Sequence, residues 1–202
     1  MPGSEIRIGE DNEILIRDDH VFLGYYHDKA STNSTLDKDA WLHSGDIGDL
    51  DDDGFLSVTD RKKDLIITSG GKNVAPQPIE AQLKQIPSVA SASVIGDRKN
   101  YLVALLTLDP ETIASVAATA GSDAHDTHSA ANSPSFRNYI DAQIADVNCQ
   151  LASYQTIKKF TILPEPFSVE GGELTPTLKM RRKIIAPKYQ DEIDALYARG
   201  RS

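Results

Sequence analysis

The sequence has 202 residues, enough for one domain or for a short segment followed by a domain. Its composition is that of an ordinary globular protein, and the formal net charge of −9 argues against a general nucleic-acid binder. Cys149 is the only cysteine, which excludes an internal disulfide, and we expect a reducing, cytoplasmic compartment and neither a membrane span nor a signal peptide.

The first part of the chain predicts short β-strands. Apolar residues alternate with polar ones around a polar turn, which is typical of a hairpin: Ile6, Ile8, Ile14 and Ile16. Residues 21–26 predict another strand or an extended segment, and residues 28–36 a short helix. Residues 47–50 and 55–58 predict a second hairpin. Because these strands have few partners within the segment, we expect it to be the end of a larger β-rich domain.

The turn of the second hairpin also has the spacing of a calcium loop: Asp49, Asp51, Asp53, Gly54 and Asp60. The flanking residues alternate as strands, however, whereas such loops lie between helices. The last position is also an aspartate where a longer glutamate is usual. We therefore favour a solvated turn and predict no metal site, and a calcium-binding β module remains an alternative.

The remaining residues predict strands alternating with helices, which indicates an α+β or α/β unit able to fold alone. The expected strands are 65–67, 90–96, 102–108 and 157–163. The expected helices begin near Pro76, at Asp109, at Phe136 and at Tyr189. Residues 121–133 read as a flexible loop. Its histidines, at 125 and 128, lie on an unanchored segment, so we predict no metal there either.

The densest group of signals lies in residues 60–80. An apolar triplet predicts a buried strand, and Gly70 and Gly71 predict a turn that can approach another molecule closely. Pro76 and Pro78 suit the first turn of a helix. The cations beside the glycines suit a phosphate group, although a strand, turn and helix with a solvated basic edge explains the same residues.

Three segments, in this order, resemble motifs of the adenylate-forming acyl-CoA synthetase superfamily, in its long-chain fatty acyl-CoA synthetase branch. Residues 60–80 are similar to the hinge motif. Residues 41–48, Trp-Leu-His-Ser-Gly-Asp-Ile-Gly, are similar to the Thr-Gly-Asp motif, with Ser44 in place of threonine. Residues 174–182, Leu-Thr-Pro-Thr-Leu-Lys-Met-Arg-Arg, are similar to the C-terminal lysine motif. The resemblance covers nearly the whole chain.

The resemblance implies an α+β fold: a small mobile C-terminal lid domain at 63–202, with a short sheet flanked by helices, after a β-rich remnant of the large N-terminal domain at 1–62. It implies the C-terminal fragment of an ATP-dependent long-chain fatty acid–CoA ligase using ATP, magnesium and coenzyme A. The family's phosphate loop and fatty-acid pocket lie earlier in its chains. We therefore expect the missing N-terminal domain to be a structural partner, and the isolated chain to be inactive.

The resemblance also assigns roles to residues. Asp46 is expected to accept hydrogen bonds from the ribose of ATP, and Arg61 to approach the ribose or phosphate. Lys179 is expected to be catalytic, touching the carboxylate substrate and the α-phosphate during adenylation. Lys63 matches the hinge position.

The remaining family assignments concern coenzyme A. Gly70, Gly71 and Lys72 are expected on the side that serves thioester formation, where the glycines leave room for the pantetheine arm. The acyl chain length stays open. Two alternatives also remain open: a standalone, non-catalytic module that binds coenzyme A or a partner protein, and peripheral membrane contact through the basic run after Lys179.

Overall fold

The computed structural model describes residues 3–198 and divides into two compact units, 1–65 and 66–202. Both units combine strands with helices, as the predicted α+β class requires. The domain border expected after residue 62 lies close to this division, and it stays a prediction.

The first unit is an antiparallel sheet with one short helix. Its elements are β1 (Glu5–Ile8), β2 (Glu13–Arg17), α1 (Lys29–Thr35), β3 (Leu42–Leu50) and β4 (Leu56–Arg61). The strands pair in the order β1-β2-β3-β4, which confirms both predicted hairpins. Asp28 starts α1, since its carboxylate accepts a hydrogen bond from the Ser31 N–H at 2.9 Å.

The first unit buries few apolar side chains, and the largest of them is Trp41, which is 7% exposed. Ile14, Leu15 and Ile47 are buried with it. The guanidinium groups of Arg7 and Arg17 lie 4.4 and 4.6 Å from the centre of the indole ring.

The second unit contains a small sheet, a larger sheet and six helices over the described residues. Its elements are β5 (Ile66–Ile67), β6 (Asn73–Val74), α2 (Pro76–Leu83), β7 (Val89–Ile95), β8 (Leu102–Leu108), α3 (Ile113–Ala120), α4 (Thr127–Asn132), α5 (Pro134–Asn148), β9 (Ile157–Leu163), α6 (Arg182–Lys188) and α7 (Gln190–Ala198). β8 lies in the middle of the larger sheet, antiparallel to β7 and parallel to β9.

Helices cover both faces of this sheet. Along β8, alternate side chains enter two separate cores, so the whole strand is buried, as its apolar run predicted. Leu106 belongs to the core formed with α2, α3, α4 and α5. Leu105 belongs to the core formed with α6 and α7.

Of the two alternatives predicted for residues 21–26, a strand or an extended segment, the strand is wrong, because these residues form none in the described structure. Two further predictions about local structure are also wrong. The expected loop at 121–133 contains α4, because Asp126 and Ser129 form a capping box at its start. The helix expected from Asp109 begins at Ile113, since the Asp109 carboxylate instead accepts the Glu111 N–H in a turn.

Candidate functional site

Asp46 and Arg61, both predicted to approach the ribose, are opposite each other in the ladder of β3 and β4. Arg61 Nε lies 2.8 Å from Asp46 Oδ1, and the two side chains are 30% (Asp46) and 58% (Arg61) exposed. The carboxylate keeps further lone pairs available to hydroxyl donors. The pair can therefore offer acceptors and a cation side by side.

Hydrogen bonds to β2 fix the irregular backbone of β3 just before Asp46. Ser44 Oγ donates to the carbonyl of Ile14 at 2.7 Å, and the Asp46 N–H donates to Ser44 Oγ at 3.1 Å. Gly45 has a φ of 72°, a left-handed conformation that glycine adopts at little cost. Its N–H donates to the Glu13 carboxylate at 3.0 Å.

Lys63, the predicted hinge, lies in a single exposed 3-10 turn, Lys62–Asp64. The neighbouring Lys62 is bound on one side: its ammonium lies 2.7 Å from Asp11 Oδ2 and 2.9 Å from Glu13 Oε2. These contacts raise the pKa of Lys62, the hydrogen bond with Asp11 contributing most. The chain is thus held immediately before Lys63.

Gly70, Gly71 and Lys72 form an exposed turn between β5 and β6, here called the glycine turn (residues 68–72). The Gly71 N–H donates to the Thr68 carbonyl at 2.9 Å, and Gly71 has a φ of 73°. A Cβ on Gly70 would meet only Thr68 Oγ1, at 4.0 Å. The backbone at Gly70 is therefore open to a second molecule, and a methyl group there would leave the turn intact.

Lys179 is exposed on a loop whose shape is set by its own hydrogen bonds, here called the lysine loop (residues 174–180). Leu174 and Met180 form an isolated bridge, and the Thr175 N–H donates to the Lys179 carbonyl at 2.8 Å. The Lys179 N–H donates to Thr175 Oγ1 at 3.0 Å. Leu178 takes a left-handed φ of 59° to complete the turn. The ammonium group is thus free of the core on a defined support.

Glu173 anchors the foot of the lysine loop. It is 2% exposed, and its carboxylate accepts hydrogen bonds from Lys188 Nζ, from the Tyr189 hydroxyl at 3.0 Å and from the Ser168 N–H at 3.3 Å. Burial alone would raise its pKa. The donors, Lys188 foremost, outweigh this and lower the pKa to about 2.

A second buried acid ties the segment after the lysine loop to α2. Glu80 is 3% exposed and accepts hydrogen bonds from both ends of the Arg182 guanidinium, with Arg182 Nη2 2.5 Å from Glu80 Oε2. The Val94 N–H adds a further bond at 2.8 Å. Bidentate pairing of this kind fixes geometry as well as charge.

Sequence reasoning missed Glu13, Glu80 and Glu173. For Glu80 a signal existed, because it shares the buried stripe of α2 with Ile79 and Leu83 at helical spacing. Glu173 follows two glycines, and this sequence context gives no signal that the acid is buried. Glu13 carried no such signal, since its burial depends on a distant strand.

The acidic turn between β3 and β4 is a hairpin turn, as predicted. The Asp51 carboxylate accepts the N–H groups of Asp53 and Phe55 at 3.1 and 2.7 Å. Within residues 3–198, no group of three or more histidine, cysteine or acidic side chains is arranged to hold a metal ion. Across the same range no helix is both long and apolar enough to cross a membrane.

Comparison with known proteins gives consistent matches. The sequence model of the family described as AMP-binding enzyme C-terminal domain matches residues 63–201. The chain is 41% identical over 201 residues to the long-chain-fatty-acid–CoA ligase FadD15 of Mycobacterium tuberculosis, covering 98% of this chain and 33% of that protein. It is 40% identical over 204 residues to the long-chain-fatty-acid–CoA ligase ACSBG2 of Gallus gallus, covering 92% and 27%.

A solved structure shows the same fold. The A domain of a carboxylic acid reductase from Segniliparus rugosus, in complex with AMP and a co-purified carboxylic acid, superposes with a TM-score of 0.72 at 25% identity. The match covers 93% of this chain and 28% of that one. The chain thus spans about a third or less of the length of the proteins it matches.

Proposed function

The chain belongs to the AMP-binding enzyme C-terminal domain family, and from this we propose that it is the C-terminal part of a long-chain fatty acid–CoA ligase. The named relatives support this reading, since both are long-chain-fatty-acid–CoA ligases. A standalone module that binds coenzyme A without catalysis is the less favoured alternative.

The proposed reaction has two steps. A fatty-acid carboxylate oxygen attacks the α-phosphorus of ATP, and the bond from that phosphorus to the oxygen bridging the α- and β-phosphates breaks. Pyrophosphate is released, and an acyl-adenylate is formed. The sulfur of coenzyme A, having lost its proton, then attacks the acyl carbon, and the carbon–oxygen bond to AMP breaks. Magnesium would neutralise charge on the ATP phosphates. We assign no residue of this chain to it, because the described side chains form no suitable cluster.

The Asp46–Arg61 pair suits the adenosine part of the nucleotide. A carboxylate can accept from two adjacent ribose hydroxyls while Arg61 binds one of its oxygens. The guanidinium, 58% exposed, keeps donors for a phosphate or a ribose oxygen.

The single observation that carries the proposal is the placement of Lys179: an exposed ammonium on the braced lysine loop of a family member. A compact cation on a long stem can offset the negative charge that gathers when the carboxylate meets the α-phosphate. Its backbone is held by the hydrogen bonds of the lysine loop, which leaves mainly the side chain to be ordered in the adenylation complex.

The test compares Lys179→Ala with Lys183→Ala in the longer protein that carries this chain. Lys183 is a matched control, since it is an exposed lysine of the same basic run. We expect Lys179→Ala to lower fatty-acid-dependent exchange of pyrophosphate into ATP by about 100-fold or more, and Lys183→Ala to leave it nearly unchanged. Equal effects of the two variants would refute the assignment.

Gly70→Ala tests the second step. Apart from the two neighbouring residues, no described atom lies nearer than 4.0 Å to the added methyl group, so the fold should persist. If the pantetheine arm passes the glycine turn, thioester formation from added acyl-adenylate should slow while pyrophosphate exchange continues. An unchanged rate of thioester formation would refute the assignment of coenzyme A to the glycine turn.

The 202-residue chain is proposed to form no acyl-CoA alone, because the family's phosphate loop and fatty-acid pocket would come from the partner N-terminal domain. Acyl-CoA formation by the purified chain would overturn this. A cytoplasmic location and peripheral membrane contact remain parts of the proposal, and cell fractionation and liposome flotation test them.

A further inference from the structure

We propose that Glu13 is a positioning residue that holds the Asp46–Arg61 pair in its binding geometry. The inference rests on the proposed role of that pair in nucleotide binding. Within the described residues, the Glu13 carboxylate makes no hydrogen bond or ion pair with either member of the pair. It binds the residue next to each of them, Gly45 before Asp46 and Lys62 after Arg61.

The Glu13 carboxylate is buried and fully engaged. The residue is 3% exposed, and Oε1 accepts the Gly45 N–H at 3.0 Å. Oε2 accepts from His43 Nδ1 and from Lys62 Nζ, each at 2.9 Å. Two donors from β3 and one from the 3-10 turn after β4 thus converge on one acid.

The strand register explains why an acid is needed here. Glu13 pairs with Ile47 and Leu15 with His43, so β3 has extra residues between these pairs and bulges at 44–46. A bulge interrupts the regular ladder, and its N–H groups need other acceptors. The Glu13 side chain supplies an acceptor for the Gly45 N–H. This hydrogen bond fixes the backbone of the bulge and so orients Asp46, the next residue.

The contact with Lys62 fixes the other strand. β4 ends at Arg61, and beyond it the chain is held because the Lys62 ammonium bridges Glu13 and Asp11. Burial by itself would raise the pKa of Glu13, but the bonds from His43, Lys62 and Gly45 outweigh it and lower the pKa. The acid is therefore ionised at neutral pH and attracts Lys62 by charge as well as by hydrogen bonding.

A glutamine has the same size but cannot serve three donors. Its amide oxygen can accept from at most two of them, and its NH₂ group would face another donor. Glu13→Gln should therefore lose the hydrogen bond to the Gly45 N–H or the contact with the Lys62 ammonium. Glu10→Gln is the matched control, since Glu10 is an exposed glutamate of the same hairpin.

The primary test is the NMR signal of the Arg61 side-chain Nε–H group in the 202-residue chain. Asp46→Asn defines the signal position without the ion pair. We expect Glu13→Gln to move the signal at least halfway to that position, and Glu10→Gln to leave it in place. An Arg61 signal that stays at its wild-type position in Glu13→Gln would overturn the proposal.

Folding of the variant is checked with the indole N–H signal of Trp41, the only tryptophan. If Glu13→Gln loses that signal, the position of the Arg61 signal is measured in Glu13→Asp instead. The shorter aspartate keeps the charge but reaches fewer donors. An intermediate Arg61 position in Glu13→Asp supports the proposal, and a wild-type position refutes it.

A second measurement separates this inference from the proposed function. In the longer enzyme, Glu13→Gln should raise the KM for ATP by about tenfold or more and change the rate of the second step less. If the Arg61 signal moves but the KM for ATP does not, the positioning by Glu13 stands and the nucleotide role of the Asp46–Arg61 pair is refuted.

Discussion

Replacing Glu173 by glutamine should destabilise the second unit in a pH-dependent way. The carboxylate is 2% exposed and binds Lys188, Tyr189 and the Ser168 N–H. Glutamine removes the charge and leaves the Lys188 ammonium without its ion-pair partner. Lys188 is 42% exposed, so water can solvate it in part and the loss stays below that of a fully buried pair.

The magnitude follows from the pKa of Glu173, which is about 2 in the folded chain against an ordinary value of 4.5. At about 1.4 kcal/mol for each pKa unit, the difference corresponds to about 3 kcal/mol of stability at neutral pH. Because the folded pKa is the lower one, this stability is present above pH 4.5 and is lost as the pH falls towards 2. About 1 kcal/mol should remain at pH 3.

The assay is urea unfolding followed through the backbone amides of β8. These report the second unit, whereas the lone tryptophan at 41 reports the first. Glu173→Gln should cost about 3 kcal/mol at pH 7 and about 1 kcal/mol at pH 3. Glu170→Gln, an exposed glutamate of the same segment, should cost less than about 0.5 kcal/mol. A Glu173→Gln cost that is the same at both pH values would refute the electrostatic reasoning.

Four further substitutions probe the second unit. Gly171→Ala should cost about 1–3 kcal/mol in urea unfolding, because the new Cβ would clash with Glu173 Oε2. Gly121→Ala should cost only about 1 kcal/mol, because φ is 62° but no described atom beyond its chain neighbours lies within 4 Å of the new Cβ. A larger loss for Gly121→Ala than for Gly171→Ala would contradict the clash at Gly171. Leu105→Ala should cost about 2–5 kcal/mol, because Leu105 is fully buried, and a loss below 1 kcal/mol would contradict its packing. Asp126→Ala should raise hydrogen exchange in α4 by about fivefold, equivalent to about 1 kcal/mol, and unchanged exchange would contradict the capping box.

The sequence predicted the fold where its signal was local and repeated. The largely apolar run of β8 and the apolar stripe of α5 both predicted the correct element. α4 escaped prediction because serine and aspartate are common in loops, and only the structure shows that Asp126 and Ser129 cap a helix. α6 escaped because its sequence is basic and contains Pro187.

Part of the candidate site was predictable because its residues lie in local sequence motifs. Asp46 and Arg61 were assigned through their motifs, and the strand register then brings them to 2.8 Å. The buried acids Glu13, Glu80 and Glu173 depend on contacts between residues far apart in sequence. Arg182 and Glu80 are separated by 102 positions, a distance over which local pattern carries no information. The roles of the site residues themselves stay predictions.

The parallel pairing of β8 with β9 has a consequence for how the second unit folds. The β7–β8 hairpin closes over a short connection, whereas β9 joins only after the chain of α3, α4 and α5 has returned to the sheet. The hairpin should therefore form early and the last strand late. Until β9 arrives, the strand Leu102–Leu108 presents one unpaired backbone edge, flanked by side chains that are apolar at every position except Thr107. Refolding yield should fall as protein concentration rises, since a second chain can occupy that edge before β9 does.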